Sequence, residues 1–114
     1  MIPDSQVLEI ITEQYPGIKM NIQKSKALRA FEHIADYAKG LLQKESYGEF
    51  KNFVEFINQL YYHCNNRMKL GIDNVFLYKI GNYIDVCALP HNIREMLPHR
   101  MKSLLNKQLG TPAI

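Results

Sequence analysis

Residues 46–71, SYGEFKNFVEFINQLYYHCNNRMKLG, decide the fold. Ser46 and Glu49 form the S-x-x-E pattern of a capping box, which marks the start of a helix. Apolar residues then recur every three or four positions, the spacing of one helix face. These residues are Phe50, Phe53, Val54, Ile57, Leu60, Tyr61, Cys64 and Met68. We therefore expect one long central helix that ends at Gly71.

Two more helices are predicted before this stretch. The first runs from Asp4, whose carboxylate can accept hydrogen bonds from the amides of the first turn, to Tyr15. Pro16 stops it, because proline disfavours a helical conformation in the residue before it. The second runs from Ser25 to Gln43, with apolar residues at helical spacing on one side and charged residues on the other.

Further helices are predicted after the central one. Asp73 is a residue type favoured at helix N-caps, and a fourth helix is expected to begin there. Pro90 precedes a short helical turn that includes Ile93, and Pro98 breaks this turn. A last helix is expected from Pro98 to Leu109. The fourth helix should bury Phe76, Leu77, Ile80, Ile84 and Cys87.

No segment alternates apolar and polar residues at the period of a strand. The 114 residues fit one domain. The sequence thus predicts an all-α, single-domain bundle of about five helices over residues 1–114.

The composition indicates a cytoplasmic protein. No apolar run approaches the roughly 20 residues that a membrane-spanning helix needs, so no membrane is expected as a partner. The first nine residues lack the basic start of a secretory signal. Cys64 and Cys87 are expected to be buried, reduced thiols.

The net charge of +3 lies entirely in the last segment. Residues 1–90 hold ten basic and ten acidic residues, whereas residues 91–114 hold four basic residues against Glu95. This asymmetry supports an alternative function, a nucleic-acid-binding regulator with a basic C-terminal helix. Its contact residues would be Arg94, Arg100, Lys102 and Lys107.

No metal site, cofactor or catalytic residue is predicted. Cys87 and His91 are four positions apart, but Pro90 interrupts a helix between them, and His63 and Cys64 point about 100° apart on a helix. Glu32 and Asp36 share a helix face flanked by basic residues, which is typical of surface ion pairs. An enzyme site built from distant residues, such as His63 with Glu55 or His91, is a third alternative.

Three segments carry a resemblance. They are F-V-E-F-I-N-Q-L-Y (residues 53–61), G-I-D-N-V-F-L (residues 71–77) and L-P-H-N-I-R-E-M-L-P-H-R (residues 89–100). Together they resemble small uncharacterised helical proteins of bacteria, some of which are immunity proteins or bind other proteins. The resemblance implies a binding role and assigns no functional residue.

The favoured hypothesis is a non-enzymatic bacterial protein that binds another protein, in an immunity-like manner. Tyrosine and arginine are enriched at protein interfaces, and several here do not fit the predicted core faces. The predicted contact residues are Tyr62, Arg67, Tyr78, Arg94 and Arg100. The sequence identifies neither the partner nor the oligomeric state.

Overall fold

A computed structural model describes residues 3–18, 27–87, 89 and 91–108. The described ranges contain helices and turns and no strand, which confirms the all-α prediction. The helices are α1 (Asp4–Gln14), α2 (Ala27–Gln43), α3 (Tyr47–Tyr61), α4 (Asn66–Leu70), α5 (Leu77–Val86), α6 (His91–Glu95) and α7 (His99–Gln108), with a π-helical segment (Gly71–Phe76) between α4 and α5. The predicted start of the second helix, Ser25, and the predicted end of the last, Leu109, lie outside the described residues.

The turn between α2 and α3 explains why Ser46 is not a capping-box residue. Glu45 has a positive φ of 59°, and its amide donates to the carbonyl of Leu42 (3.1 Å). The Ser46 amide donates to the carbonyl of Leu41 (2.9 Å). These two bonds are the Schellman motif that closes a helix C-terminus. Ser46 thus ends α2, and its side chain makes no cap bond to α3, although α3 begins where it was predicted.

The predicted central helix is wrong beyond Tyr61, because the chain turns over residues 62–65. Asn65 then starts α4, and its side-chain oxygen accepts from the Met68 amide (2.9 Å), as an N-cap residue does. The sequence pattern does not reveal this turn, because Cys64 and Met68 are buried and continue the apolar spacing of α3.

The predicted helix start at Asp73 is also wrong. The chain stays helical from residue 66 to residue 86, and Gly71 and Asp73 both lie in the π-helical segment. The Leu77 amide donates to the Ile72 carbonyl, five residues earlier, which is the π-helical pattern. A glycine suits this position because α2 crosses close to it: a Cβ atom at residue 71 would overlap the ring of the buried Phe31.

The core joins α1, α2, α3 and the residue 66–86 helix. Phe53 of α3 lies at its centre, with its ring centroid 4.7 Å from Tyr15, 5.1 Å from Tyr37 and 6.0 Å from Phe76. Partial burial raises the pKa of the Tyr15 and Tyr37 hydroxyls above the ordinary value of 10.0, and the nearby Glu49 carboxylate adds to the effect. Fully buried large side chains of the described residues include Phe31, Phe50, Phe53, Phe76, Ile11, Ile34, Ile57, Met68, Ile72, Leu77, Ile80 and Ile93.

The C-terminal helices cover one end of the core. Pro98 separates α6 from α7 as predicted, and its carbonyl accepts from the Lys102 amide (3.0 Å). Met101 and Leu105 are fully buried, which is how α7 packs on the core. None of the helices in the described ranges combines the length and the apolar content that crossing a membrane requires.

Candidate functional site

Arg100, in the first turn of α7, contacts α3 and the π-helical segment. Its Nε donates to Oδ1 of Asn58 (3.0 Å), and its Nη1 donates to Oδ1 of Asp73 (2.9 Å). The guanidinium carbon lies 3.6 Å from the centroid of the Tyr61 ring, a cation–π contact. Asn58, Tyr61, Asp73 and Arg100 are called the Arg100 cluster below.

The local structure of each element sets this geometry. Asn58 and Tyr61 are three positions apart on α3 and therefore share a helix face. Asp73 reaches Arg100 because the helix does not restart at Asp73 and its carboxylate is not used as an N-cap. A planar guanidinium with several donors suits such a position, since lysine could not make the two hydrogen bonds and the stacking contact together.

The cluster is mostly buried, and one donor in it is unsatisfied. The Arg100 side chain is 22% exposed and the Asp73 side chain 18%. Nη2 of Arg100 is buried and has no hydrogen-bond partner among the described residues. Three contacts therefore fix the guanidinium, although one of its buried nitrogens is left without a partner.

An open groove of about 600 Å³ lies against this cluster, between α3 and α7. Tyr62 stands at its edge with 62% of its surface exposed. Pro98 and Leu104 give the groove apolar surface, and amide, imidazole, guanidinium and hydroxyl groups give it donors and acceptors. The residues that line this groove, called the Arg100 groove below, are Asn58, Tyr62, Pro98, His99, Arg100, Ser103 and Leu104.

The structure brings two of the five predicted contact residues together in one groove and places the other three on α4, α5 and α6. Tyr62 and Arg100 line the Arg100 groove together. Tyr78 is 45% exposed and lines a separate groove, between α2 and α5. Arg67 is exposed on α4. Arg94 on α6 pairs with Asp85 on α5.

Within the described residues, the cations of the basic C-terminal segment face carboxylates of the same chain. Arg94 Nη1 lies 3.1 Å from Asp85 Oδ1, and Lys102 Nζ lies 3.2 Å from Glu95 Oε1. Arg100 contacts Asp73, and the side chain of Lys107 is outside the description. This pairing reduces the positive field on which the nucleic-acid alternative depends.

The structure also places the cysteines and carboxylates that the sequence analysis considered. Over the described ranges, no three His, Cys, Asp or Glu residues come together in a way that could hold a metal ion. Cys64 is buried as predicted, and its Sγ donates to the Leu60 carbonyl (3.0 Å). Cys87 is exposed, so its predicted burial is wrong: it ends α5 at the surface. The surface ion pair predicted for Asp36 is confirmed, with Lys39 as its partner (3.4 Å).

Sequence reasoning missed most of the Arg100 cluster. The sequence predicts Tyr61 on the core face and Asp73 at an N-cap, and it predicts no role for Asn58. One signal was present: Tyr61 and Tyr62 follow Asn58 by three and four positions, so these polar and aromatic residues lie close together at the C-terminal end of α3. His99 and Ser103 carry the same spacing on α7.

The fold and the groove define a small all-α domain in which an open, polar-aromatic groove lies beside a fixed arginine. The chain belongs to the family DUF7674, a domain of unknown function, whose model matches residues 8–110. No curated protein and no solved structure matches the chain. The likeness to bacterial immunity proteins therefore stays a hypothesis.

Proposed function

We propose that the chain is a non-enzymatic protein-binding domain and that its Arg100 groove receives a segment of a partner protein. The observation that carries the proposal is the exposed Tyr62 ring beside a guanidinium already fixed by three contacts. Tyrosine and arginine supply much of the binding energy at protein interfaces. A fixed arginine also loses little side-chain freedom on binding, which favours affinity.

The make-up of the groove supports binding of a peptide segment. Pro98 and Leu104 offer apolar surface, while Asn58, His99 and Ser103 can pair with backbone amides and carbonyls of an extended chain. A concave, partly apolar surface with a few convergent polar groups is the usual form of a binding site.

The resemblance favours one kind of partner, a toxin that this domain would neutralise. A cytoplasmic setting is part of the proposal, because the exposed Cys87 thiol is not in a disulfide and such thiols stay reduced there. The nucleic-acid alternative is kept in second place, since carboxylates of the same chain face Arg94, Arg100 and Lys102.

The test compares partner capture by the wild-type chain, by Tyr62→Ala and by a matched control. Gln59→Ala is the control, because Gln59 is exposed in the last turn of α3, three positions before Tyr62, and does not line the groove. Extracts of the native host are passed over each immobilised chain at near-physiological salt, and retained proteins are quantified by mass spectrometry. Affinity for the protein that is retained is then measured by calorimetry.

We expect Tyr62→Ala to weaken binding by about tenfold or more and Gln59→Ala to leave it unchanged. A partner held equally by wild type and Tyr62→Ala would refute the groove as the binding site. Retention of nucleic acid instead of protein, with affinity that falls steeply as salt rises, would favour the alternative.

A further inference from the structure

The helix from residue 66 to residue 86 carries an uncharged stripe on its outer face. The stripe consists of five exposed residues at intervals of four, namely Leu70, Asn74, Tyr78, Asn82 and Val86. Leu70 is 55% exposed, Tyr78 45% and Val86 73%. Together with Tyr62, these three are the large apolar side chains exposed on the described part of the chain.

The outer faces of α2 and α3 differ from this stripe in charge. Exposed charged residues there are Arg29, Glu32 and Asp36 on α2 and Glu49, Lys51 and Glu55 on α3. Solvent-facing sides of helices normally carry such charges. Two charged residues next to the stripe form ion pairs within the chain. Asp73 contacts Arg100, and Lys79 contacts Glu32 (3.7 Å). An uncharged exposed stripe is typical of an interaction surface.

The π-helical segment makes the stripe straighter. In an α-helix, a residue four positions further along is displaced by about 40° around the axis, so five such residues would be spread over about 160° of the helix circumference. A π-helix has more residues per turn, so a step of four positions falls short of a full turn there and offsets part of this winding. Leu70, Asn74 and Tyr78 span the π-helical segment and therefore lie closer to one line than they would on an α-helix.

We propose that the stripe binds the same stripe of a second copy of this chain, antiparallel, about a two-fold axis at Tyr78. The order of residue types is the same from either end: apolar, Asn, Tyr, Asn, apolar. In a two-fold interface, residue i contacts residue j and j contacts i. Leu70 then meets Val86 of the second copy, Asn74 meets Asn82, and Tyr78 meets Tyr78.

Two features favour this antiparallel register over a parallel one. Arg67 and Lys69 lie at one end of the stripe, so a parallel pair would bring the cations of both copies to the same level, whereas an antiparallel pair places them beside the Asp85–Arg94 ion pair. The helix dipoles also oppose each other. Each Asn74–Asn82 pair can form side-chain hydrogen bonds, and buried asparagines of this kind fix the register of paired helices.

The surface beside the stripe can accommodate the second copy. A groove of about 350 Å³ between α2 and α5 gives space for the opposing Tyr78 ring. Its two lysines do not bring a net positive charge to the interface, since Lys39 pairs with Asp36 and Lys79 with Glu32. An interface built mainly on one helix face is small, so we expect a dimer of micromolar affinity.

Sedimentation velocity of the purified full chain, from about 1 to 100 µM, tests the association. We expect a monomer at the lowest concentration and mainly a dimer at the highest. Tyr78→Asp should remain monomeric throughout, because two carboxylates would meet at the axis. Asn52→Asp is the matched control, since it adds the same charge to an exposed uncharged site on α3 and should dimerise like the wild type.

A charge exchange tests the register. Leu70→Glu and Val86→Lys should each weaken the dimer by about tenfold. The double variant should restore it, because the carboxylate introduced at position 70 would face the ammonium introduced at position 86 of the second copy, and the two-fold axis makes this pair twice. Within one chain these positions lie at opposite ends of the stripe and cannot pair. Circular dichroism checks that every variant is folded.

A chain that is monomeric at all concentrations, or a dimer that Tyr78→Asp leaves intact, would refute the proposal. Failure of the double variant to regain affinity would refute the antiparallel register. Partner binding through the Arg100 groove depends on Tyr62 and is read out separately, so either proposal can fail alone.

Discussion

Helix α2 and helix α7 both contact the π-helical segment Gly71–Phe76, and they do so with opposite chemistry. On the α2 side, the fully buried Phe31 ring packs directly on the backbone of Gly71. On the α7 side, the partly exposed Arg100 binds the carboxylate of Asp73. The first contact depends on shape and excludes water. The second depends on charge and hydrogen bonds, and it lies where the open groove begins.

The largest effect is expected from adding a methyl group at Gly71, where α2 packs on the π-helical segment. Gly71→Ala should lower the free energy of unfolding by about 2–3 kcal/mol, because the new Cβ atom would overlap a ring that is enclosed on every side. The higher helix propensity of alanine, about 1 kcal/mol, offsets only part of this loss. Urea unfolding followed by circular dichroism measures the change.

Gly40→Ala is the matched control for Gly71→Ala. Gly40 lies in α2, and nothing stands within 4 Å of the position that its Cβ would take. We expect this variant to be more stable than the wild type by about 0.5–1 kcal/mol. Adding Phe31→Leu to Gly71→Ala should recover part of the lost stability if the ring is the obstacle. Equal stability of Gly71→Ala and the wild type would mean that α2 moves away from the added Cβ atom at little cost in free energy.

A smaller effect is expected on the α7 side. Arg100→Ala should lower the free energy of unfolding by about 1–2 kcal/mol, between the values for exposed and fully buried ion pairs. Arg100→Lys should recover less than half of this, because it keeps the charge but loses the Asn58 bond and the stacking on Tyr61. The unfolding measurement is the same as for Gly71→Ala.

Hydrogen exchange distinguishes the two sides. In Arg100→Ala, amides of α7 should exchange faster while those of α3 stay protected, since the lost contacts hold one helix onto the core.

Lys51→Ala is the control for the stability loss in Arg100→Ala. It removes an exposed i, i+4 pair with Glu55 and should lower the free energy of unfolding by at most about 0.5 kcal/mol. A loss in Arg100→Ala no greater than in Lys51→Ala would show that the cluster does not hold α7.

Local patterns in the sequence predict most of the helices. The apolar spacing of α1, α2 and α3, and the break at Pro98, depend on residues within a few positions of each other. The start of α3 was predicted correctly even though the Ser46 side chain makes no cap bond to α3 and the Ser46 amide closes α2. A periodic apolar face is sufficient to form a helix when its cap is missing.

Contacts distant in sequence explain what the local patterns missed. Gly71 is a typical helix end and Asp73 a typical helix start, but one helical run passes through both positions, where Phe31 packs on Gly71 and Arg100 binds Asp73. Arg100 lies 27 positions from Asp73 and 42 from Asn58. The sequence therefore suggested Tyr62 and Arg100 as contact residues without indicating that they line one groove.

The smallest effect is expected from alkaline pH, which acts on the two tyrosines that pack against Phe53 in the core. Burial raises the pKa of Tyr15 and Tyr37, so the folded state favours the neutral phenols. This contribution to stability is complete below pH 10, the ordinary tyrosine pKa, and is lost as the pH rises through the raised values.

Differences between variants isolate this contribution from the titration of lysines. The fall in melting temperature between about pH 9 and pH 11 should be smaller in the double variant Tyr15→Phe, Tyr37→Phe than in the wild type. Tyr62→Phe, at an exposed ring outside the core, should show the same fall as the wild type. Identical curves for all three chains would mean that ionisation of Tyr15 and Tyr37 is as easy in the folded protein as in the unfolded one. The aromatic cluster would then be more open to water than the packing of Phe53 against both rings implies.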